Sequence, residues 1–599
     1  MKTILAFSAV VACAGISSAQ TPVPAGNVSG TWTLSGSPYL VQGDISIPSG
    51  QTLTVNPGVR VEFQGHYTLF VQGRLLAVGT GTNPITFTVD DTAGFHDPNS
   101  PLGGWYGIRF VNTPVQNDTS RLIYCELQYS KALGTDWTKN AGGAVCIVDF
   151  DKVLIANCTF SHCSATRSGG GVYLWRSELR IRDTAFRDNW AGNGGALGGL
   201  NSTLTLENCL FSRNRAGTNS GAIDYDLDSV LSPACQLRAT GSRFVENSAG
   251  QYYGAIKVQQ PETGLSLVHV FIDRCEFEGN TSARSGAIRL DGNMTGFVIS
   301  NSSFRRNIAG TQSACAFWRG ASGRVSNCLF DSNMTETGLG ALLLSNKSNV
   351  DFMHCTIVRN MGVTSGALKI QAQSSSRVLN SIFWGNRPDQ ISLQSQSDTT
   401  VSSAYVYHSD IQHGVDSIRL YDTLSVLHWG GGNINAYPLF QDTVSRDYHL
   451  RSTSPCIGAG IDTIQIAGTW YYCPSTDIEG NPRPNPAGSM PDVGAYESAY
   501  PVGMVEEPPG FPRAYALHQN YPNPFNPVTT ISYEIPTQSR VTLALFDVLG
   551  REVATLARGV EEPGFRSVRF DAHGLASGVY YYRLKAGDFV ATRRLIVLR

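Results

Sequence analysis

The chain has 599 residues, of which 15% are charged and 62 are glycine, and its formal net charge is −2. An average soluble domain carries about 25% charged residues, so this chain is poor in charge. It contains no basic tract that could follow a phosphate backbone, and nucleic acid is therefore not an expected partner. It also contains no long acidic or polar tract, which argues against extensive disorder.

The first nineteen residues have the pattern of a secretory signal peptide. A charged start and an apolar run at 4–14 precede small residues at 17–19, so cleavage is expected before Gln20. A second interpretation treats residues 10–13 as a lipobox, with Cys13 as a lipid-bearing N-terminus. No later apolar run reaches eighteen residues, so no transmembrane helix is predicted.

A phrase of the form N-C-x-F-x-x-N recurs between residues 157 and 386. Full or partial copies read NCTFSHC, DTAFRDN, NCLFSRN, GSRFVEN, RCEFEGN, NSSFRRN, NCLFDSN, HCTIVRN and NSIFWGN. Their central residues are Phe160, Phe186, Phe211, Phe244, Phe277, Phe304, Phe330, Ile357 and Phe383. The spacing, mostly in the twenties with a few insertions, is typical of stacked repeats with loops on one face. Each unit has two short apolar alternations separated by turn residues, which predicts strands rather than helices.

A coil of about 25 residues closes as one rung of a right-handed parallel β-helix. Successive rungs stack ~4.8 Å apart, so like residues lie above like. The phenylalanines are therefore expected to form a column inside the coil. Two asparagine ladders are also expected, one before the cysteine and one three residues after the phenylalanine. Their members are Asn157, Asn208, Asn301, Asn327 and Asn380, and Asn214, Asn247, Asn280, Asn307, Asn333, Asn360 and Asn386.

The cysteines do not follow the pattern of a disulfide framework, although exported proteins often carry one. Six of them share one repeat position, which is Thr184, Ser242, Ser302 or Ser381 in other copies. A position that accepts Cys, Ser or Thr requires a small side chain, so a buried ladder of free thiols is predicted. Cys456 and Cys473 lie outside the repeat and are the best disulfide candidates. No CxxC pair or His cluster accompanies the repeat cysteines, so no metal site is expected there.

These repeats resemble those of chlamydial polymorphic outer-membrane proteins and other right-handed β-helix proteins. Residues 30–112, with GDISIPSGQTLTVNPGVRVEF and GGWYGIRF, resemble the opening rungs of many bacterial members. Residues 448–497, with YHLRSTSPCIGAG, DIEGNPRP and DVGAYE, resemble their closing segment. The resemblance implies an all-β chain in which residues 20–500 form a right-handed single-stranded parallel β-helix of the pectin-lyase-like type, capped at both ends. It specifies the fold and not the activity.

The C-terminal region changes character after a Pro-rich linker at 501–513. Residues 514–599 contain short strands with regular turns, which predicts a small Ig-like β-sandwich. The segments LHQNYPNPFNPVTTISYEIP, LFDVLGREVATL and LASGVYYYRLKAG closely resemble the C-terminal sorting domain of type IX secretion. The resemblance implies that the type IX secretion machinery exports the chain to the cell surface or the extracellular space. The residues that match the sorting motif are Asn520, Pro522, Asn523, Pro524, Phe525, Asn526, Pro527, Gly578 and Tyr580.

One flank of the repeats carries the candidate binding residues. In the strand after each G-A pair, alternate residues are expected inside, such as Ile288/Leu290 and Ala316/Trp318, and the residues between them are expected to face solvent. Aromatic rings beside carboxylates and arginines suit a sugar chain, whose C–H groups lie on rings while hydroxyls or uronates meet charges. The predicted glycan-binding strip is Tyr173, Trp175, Asp224, Asp226, Lys257, Arg289, Asp291 and Arg319. The alternative is a solvated sheet face with ion pairs between rungs.

Catalysis is a second hypothesis for the same flank. Asp224 and Asp226 would lie about 6.5 to 7 Å apart, which overlaps the carboxylate separation of inverting glycosidases. A lyase of this fold would instead need a base and acidic Ca²⁺ ligands, and Lys257, Arg289 and Asp291 could be assembled that way. No signature of polygalacturonases or pectate lyases accompanies these residues.

Other polar residues receive structural interpretations. Four acids near the closing segment would either hold Ca²⁺ or cap turns, and no cofactor is otherwise expected. They are Asp477, Glu479, Asp492 and Glu497. His162, His269 and His354 are predicted to be surface or turn residues.

Three functions remain open at this point. The first is a secreted or cell-surface, adhesin-like module that binds a glycan or another surface without catalysis. The second is a polysaccharide lyase or glycoside hydrolase acting on uronate-containing polymers. The third is a structural protein of the surface or matrix.

Overall fold

The computed structural model describes residues 20–136, 139–228, 235–261, 268–395, 400–500, 514–562 and 564–598. These residues form two compact units, which divide near residue 502. The predicted signal peptide at 1–19, including Cys13, and the predicted linker at 501–513 lie outside the described residues.

The first unit is a parallel β-helix. Three parallel sheets of fifteen strands run along it, and a fourth parallel sheet of eight strands joins them in the middle rungs. We number them sheets 1 to 4. In those middle rungs the chain visits sheet 1, then sheet 4, then sheet 2, then sheet 3.

The strands of these sheets are short, and most have two to six residues. Sheet 1 contains Thr21–Val23, Tyr39–Val41, Arg60–Phe63, Ile85–Val89, Cys125–Gln128, Thr159–Ser161, Ala185–Arg187, Leu210–Ser212, Arg243–Val245, Glu276–Glu278, Ser303–Arg305, Leu329–Asp331, Thr356–Val358, Ile382–Trp384 and Asp410–Ile411. Sheet 2 contains Gly26–Asn27, Ile45–Ile47, Leu69–Val71, Ile108–Phe110, Val145–Val148, Val172–Trp175, Leu197–Leu200, Ile223–Asp226, Ile256–Gln259, Ser285–Asp291, Ser313–Trp318, Leu342–Ser345, Leu368–Gln371, Ile391–Gln394 and Ile418–Leu420. Sheet 3 contains Gly30–Trp32, Thr52–Val55, Arg74–Val78, Ser120–Ile123, Val153–Ala156, Glu178–Arg182, Thr203–Glu207, Cys235–Thr240, Val268–Asp273, Thr295–Ser300, Ser322–Ser326, Asn349–Met353, Ser375–Leu379, Ser403–Tyr407 and Val426–Trp429. Sheet 4 contains Lys131–Ala132, Ser164–Ser168, Trp190–Asn193, Arg215–Asn219, Ser248–Ala249, Thr281–Ser282, Ile308–Ala309 and Met334–Thr335.

Four further strands and two 3₁₀ turns complete the described part of this unit. The strands form two antiparallel hairpins, Phe440–Asp442 with Asp447–Leu450 and Thr463–Ile466 with Thr469–Tyr472. The 3₁₀ turns are Leu34–Gly36 and Gly414–Ser417.

The phenylalanine column lies inside the coil, as the repeat predicts. The rings of Phe160, Phe186, Phe211, Phe244, Phe277, Phe304 and Phe330 stack with centroids 4.7–4.9 Å apart and planes within 3–8° of parallel. All are buried. Since the rungs repeat at the spacing of a β-sheet, aromatic rings at one position stack as a continuous pile.

The second predicted asparagine ladder is continuous and also includes Asn189. From Asn189 to Asn360, each Nδ2 donates to Oδ1 of the next asparagine at 2.9–3.0 Å and to the carbonyl of the repeat's central residue one rung before. From Asn214 to Asn386, each Oδ1 also accepts the backbone N–H of the preceding asparagine. The ladder therefore supplies partners for the buried corner between sheets 1 and 4.

The other group of asparagines occupies a different corner. Asn157, Asn208, Asn301, Asn327 and Asn380 all have positive φ, from 48° to 54°. Asparagine tolerates this left-handed conformation better than most residues, which explains why it recurs there. Its side chain bonds the neighbouring rung, as when Asn327 Nδ2 donates to Asn301 Oδ1 at 3.0 Å.

The shared Cys, Ser or Thr position has a hydrogen-bonding role. The backbone N–H of one rung donates to Sγ or Oγ of the next, as from Cys125 to Cys158 at 3.4 Å, from Cys158 to Thr184 at 3.3 Å and from Cys275 to Ser302 at 3.0 Å. The thiol or hydroxyl in turn donates to the carbonyl two residues before it, as Cys158 does to Ala156 at 3.2 Å. Cys, Ser and Thr each have a γ atom that can both accept and donate a hydrogen bond, so they can replace one another at this position.

The predicted disulfide between Cys456 and Cys473 is wrong, because both are free thiols. Cys456 is buried and its Sγ donates to Asp410 Oδ2 at 3.3 Å. Cys473 follows the second hairpin, where its Sγ lies 3.1 Å from His354 Nε2. The two thiols are therefore held in separate packing environments of the closing segment.

The three histidines differ in exposure. His162 and His269 are exposed, whereas His354 is fully buried. His354 lies at a turn with φ of 48°, as expected, but the closing segment covers it and Asp492 O lies 3.2 Å from its Nδ1. Burial, reinforced by the charge of Arg483, lowers the pKa of His354 well below its usual value.

The acids of the closing segment accept backbone hydrogen bonds. Asp477 accepts from the N–H groups of Glu479, Asn481 and Glu497, and Asp492 accepts from those of Gly458 and Ser498. The Glu497 carboxylate accepts from Arg483 Nε at 2.8 Å, and the Glu479 carboxylate lies 3.1 Å from His449 Nε2. These contacts are those expected of turn-capping residues.

The second unit is a small antiparallel sandwich. One sheet contains Ala516–Leu517, Val528–Ile535 and Gly564–Asp571, and the other contains Glu552–Glu561, Ser539–Phe546, Gly578–Ala586 and Phe589–Val597. Alternate residues of both sheets, including Ile531, Leu543, Leu584 and Leu595, form its own buried core.

We predict that Asn280→Ala destabilises the β-helix. The substitution leaves the Asn247 N–H and the Phe244 carbonyl without their partner. Unsatisfied buried groups cost about 1–3 kcal/mol, so the urea midpoint of the full mature chain should fall accordingly. Asn99→Ala, at an exposed loop residue, is the control, and equal midpoints for the two variants would contradict the ladder's role.

We also predict that the mature chain contains no disulfide. When it is unfolded without reductant and alkylated, the mass should increase by twelve groups, one for each cysteine beyond Gln20. An increase of ten groups would show that two thiols are bridged.

Candidate functional site

The predicted strip lies on the outer side of sheet 2, and its register is largely as expected. One row places Tyr173, Gly198, Asp224, Lys257 and Arg289 side by side on successive strands. The next row places Trp175, Leu200, Asp226, Gln259 and Asp291 side by side. The sequence repeat therefore aligns these strands correctly.

The predicted register of Arg319, the last residue of the strip, is wrong by one residue. Asp291 pairs with Trp318 and not with Arg319. Cys315 and Phe317 fill the core in this rung, so Ala316 and Trp318 point outward rather than inward. This rung reads SACAFW and lacks the glycine that marks the strand start in other copies, and the alignment slips as a result.

The prediction that the strip faces solvent is also wrong for most of it. Tyr173, Asp224, Lys257, Arg289 and Asp291 are all at most 6% exposed. Side chains from the segment that links sheet 4 to sheet 2 lie over Arg289. Tyr253 stacks on the Arg289 guanidinium at 5.4 Å, and Gln312 Oε1 accepts from Arg289 at 2.7 Å.

The first cluster in the strip joins Asp224, Asp226 and Lys257. Lys257 Nζ lies 2.6 Å from Asp226 and 3.3 Å from Asp224. Burial, together with repulsion from Asp226, raises the pKa of Asp224 to about 7, although Lys257 opposes this. Burial opposes the charge of Lys257, but the two aspartates raise its pKa above the ordinary value. The two carboxylates are thus held by one ammonium.

The second cluster joins Arg289, Asp291 and Arg319. Arg289 donates two hydrogen bonds to Asp291 Oδ2, at 2.8 and 3.0 Å, and Arg319 pairs with Asp291 Oδ1. The Trp318 ring covers the Arg289 guanidinium at 4.5 Å. Buried ion pairs of this kind fix a particular packing and leave few groups for a ligand. Lys257 with Asp226, and Arg319 with Asp291, are ion pairs between rungs, as the alternative expects, but Arg289 and Asp291 pair within one strand. The face is also buried, whereas the alternative expects it to be solvated.

The aromatic end of the strip belongs to an apolar cluster. Tyr173 packs with Ala141, Cys146 and Val148, and the half-buried Trp175 and Leu200 lie against them. The Arg176 guanidinium covers the Trp175 ring at 3.9 Å. The rings predicted to receive a sugar are thus largely occupied by the protein itself.

A different part of the β-helix contains an open cleft of about 580 Å³. It lies between a loop at 90–104 and the corner where sheet 1 turns into sheet 4. Its lining includes Phe95, His96, Tyr129, His162, Asp188, Trp190, Arg213 and Arg215. We refer to it as the corner cleft.

The floor of the corner cleft is a column of left-handed residues. Tyr129, His162, Asp188 and Arg213 have φ of 52–55° and follow one another on successive rungs. From His162 on, each stands immediately before the position of Cys163, Asn189 or Asn214, where the buried ladder runs. The ladder fixes the backbone of the corner. The side chain of the residue before each ladder position points to the surface, so its type can vary from rung to rung.

The groups of the cleft combine ring faces with one ion pair. The Tyr129 and His162 rings stack at 5.1 Å, and Phe95 meets the edge of Tyr129 at 5.4 Å. Arg213 donates two hydrogen bonds of 2.8 Å to Asp188. These bonds hold the pKa of the Asp188 carboxyl below its usual value. Trp190 is half-buried, while His96, Arg213 and Arg215 are exposed.

The wall of the cleft is organised by a buried lysine. Lys131 Nζ donates to the carbonyls of Gly94, Asp97, Ser100 and Leu102 at 2.8–3.1 Å. Burial lowers the pKa of Lys131, and the charge of Asp97 opposes this. One ammonium thus holds the loop in shape, and Phe95 lies on its cleft side 5.0 Å from Nζ.

Sequence reasoning missed this cleft. The loop at 90–104 lies outside the repeat, and the corner residues differ in type from rung to rung, so neither forms a visible pattern. One sequence signal was available for the floor of the cleft. The residue before each ladder asparagine lies at a corner, so its side chain points to the surface. Among the residues that line the cleft, Asp188 is the single carboxylate. The paired carboxylates of glycoside hydrolysis are therefore not assembled there.

The sorting-motif residues lie in the second unit and mostly serve its fold. Asn520 and Phe525 are buried. Asn523 donates to Arg594 O and accepts from the Ile596 N–H, and Tyr580 donates to Ala576 O. Pro522, Pro524 and Pro527 follow cis peptide bonds, Asn526 precedes the last of them, and Gly578 begins a strand.

Two family models match the chain. A model described as "right handed beta helix region" matches residues 117–282 and 230–406. A model described as "secretion system C-terminal sorting domain" matches residues 519–598.

Curated relatives match over limited parts of their length. A metabotropic glutamate receptor-like protein R of Dictyostelium discoideum is 24% identical over 302 residues, which are 50% of this chain and 16% of that protein. The protein bark beetle of Drosophila melanogaster is 37% identical over 81 residues, which are 14% of this chain and 3% of that protein. The probable autotransporter YfaL of Escherichia coli (strain K12) is 26% identical over 259 residues, which are 38% of this chain and 20% of that protein. The chain thus spans a fifth or less of each.

Two solved structures share 10% sequence identity with the chain. The periplasmic alginate epimerase AlgG has a TM-score of 0.29, with 66% of this chain and 76% of that chain covered. The alginate lyase from Paenibacillus sp. str. FPU-7 has a TM-score of 0.15, with 66% and 92% covered. At these scores neither structure informs the activity of this chain.

The described residues contain no helix with the length and hydropathy needed to cross a bilayer. The parallel coils, the antiparallel second unit and the two family matches agree with one another. The chain is a right-handed parallel β-helix protein with a type IX secretion C-terminal sorting domain, which directs it to the cell surface or the extracellular space.

Proposed function

We propose that this exported protein binds a glycan in the corner cleft and does not cleave it. The observation that carries the proposal is the grouping of Phe95, Tyr129 and Trp190 around the Asp188–Arg213 ion pair. Ring faces receive the C–H side of a sugar, and the ion pair offers both acceptors and donors to hydroxyl groups. The volume of about 580 Å³ is within the range of ligand sites, roughly 300–1,000 Å³.

The electrostatics of the cleft favour binding over hydrolysis. A general acid at neutral pH needs a raised pKa, whereas the pKa of Asp188 is lowered by its two bonds from Arg213. The residues first considered for catalysis, Asp224, Asp226, Lys257 and Arg289, are paired with one another or with Asp291 on the covered side of sheet 2. A lyase or hydrolase would have to use groups other than these.

We predict that Trp190→Ala weakens binding to a retained polysaccharide by about tenfold, because ring contact worth ~1.4 kcal/mol is lost. The full mature chain is first screened by gel retardation against neutral and acidic polysaccharides. Trp470→Ala is the matched control, since Trp470 is 52% exposed on the second hairpin, away from the cleft.

The same samples are assayed for new reducing ends and for absorbance at 235 nm, and no turnover is expected. Equal weakening in both tryptophan variants would contradict the assignment of the cleft. Turnover would favour the enzyme alternative, and absence of both binding and turnover would favour a structural role.

We predict that Lys131→Met opens the loop at 90–104. Without the ammonium, four loop carbonyls lose their common donor. Proteolysis within 90–104 should become faster and glycan affinity should fall, while the urea midpoint changes little. The exposed Lys152→Met is the control, and unchanged proteolysis in Lys131→Met would contradict the role of the lysine.

A further inference from the structure

Part of the sorting motif is built into the fold of the second unit. Asn520 and Phe525 are buried, and both side-chain atoms of Asn523 are bonded to the backbone of the last strand, Phe589–Val597. The motif therefore fastens the start of the second unit to its end. Pro522, Pro524 and Asn526 of the motif are exposed, and the rest of this domain's surface lies outside the motif.

The outer side of the four-stranded sheet has a single dominant charge. Alternate residues of its strands point away from the core, and five of them are cations. These are Arg540, Arg558, Arg583, Lys585 and Arg594, all exposed. Strand pairing sets Arg558 opposite Thr542, Thr542 opposite Lys585, and Arg594 opposite Tyr581. We call this surface the cationic face.

Among the residues that the structure describes, no carboxylate forms an ion pair with a cation of this face. In the described part of the second unit, the ion pairs of 4 Å or less are His518–Glu534, Arg551–Asp547, Arg566–Glu561 and His573–Asp571. None of them includes a cation of the face. Glu552 is the one acid among its outward residues, and its carboxylate accepts from Thr555 Oγ1 at 2.6 Å.

The opposite side of the sandwich differs in charge. The outward residues of the three-stranded sheet include Glu534, Asp571 and Arg569, and Glu534 is paired with His518. That side therefore has a few charged residues of both signs. The excess of cations is therefore larger on the four-stranded side of the sandwich than on the three-stranded side.

We propose that the cationic face docks on an acidic protein surface of the secretion machinery. Opposite charges steer such an encounter and fix its orientation. The face also presents Phe546 and Tyr581, with Arg583 over the Phe546 ring at 4.9 Å. Arginine and aromatic residues are the types enriched at protein interfaces, which favours a protein over a lipid surface as the partner.

The test is export of the full chain in a bacterium that has a type IX secretion system. Arg583→Glu with Lys585→Glu reverses two adjacent charges at the centre of the face. We expect the extracellular and surface-attached amount to fall about tenfold and the chain to accumulate in the periplasm. Arg583→Lys with Lys585→Arg keeps the charge and should be exported normally.

The control reverses two charges elsewhere in the same unit, Arg551→Glu with Arg569→Glu, and should not reduce export. Circular dichroism of the retained chain establishes that it is folded, and Arg583→Gln with Lys585→Gln replaces the reversal if that variant unfolds. Normal export of the reversed variant, or equal loss in the control, overturns the proposal. The proposal also fails if the reversal leaves export normal but abolishes sedimentation with vesicles of equal parts phosphatidylcholine and phosphatidylglycerol, since the face would then contact lipid.

Discussion

The structure depends on one constraint, which is that every rung must satisfy its buried polar groups through the rung above and below. Within the sheets, backbone hydrogen bonds between parallel strands satisfy these groups. At the corners between sheets, the backbone has no such regular hydrogen-bond partners. The asparagine ladder from Asn189 to Asn386 supplies it at one corner, and the Cys, Ser or Thr position supplies it at another. Each of these side chains bonds the equivalent residue of the next rung. The ladder therefore continues only where the sequence repeat continues.

Because of this constraint, the interior residues of a rung recur from one repeat to the next, whereas the exterior residues vary between repeats. The residue before the ladder position adopts a left-handed conformation and turns outward, as at His162, Asp188 and Arg213. Because the backbone there is held by the ladder, the side chain is free to serve binding. The corner cleft uses three such positions on consecutive rungs and adds a wall from a loop that Lys131 holds in place.

Periodicity explains how much of this could be predicted from sequence. The Phe column, the long Asn ladder and the free thiols follow from like residues stacking, and each was predicted. The burial of Asp224 and Lys257 was not, because the alternation within a strand shows which side chains leave the core and not what covers them outside it. Trp318 was misplaced since its rung lacks the marker glycine, and the cleft was missed since one wall lies outside the repeat. The disulfide was inferred only because Cys456 and Cys473 had no place in the repeat.

We propose that a glycan lies on the rings of the corner cleft, and a crystal structure of the mature chain with an oligosaccharide of the retained polysaccharide is the decisive measurement. We expect sugar density on Tyr129 and Trp190, with hydroxyl groups within hydrogen-bond distance of Asp188 or Arg213. Density over Trp175 and Asp226 on sheet 2, with the corner cleft empty, would contradict it.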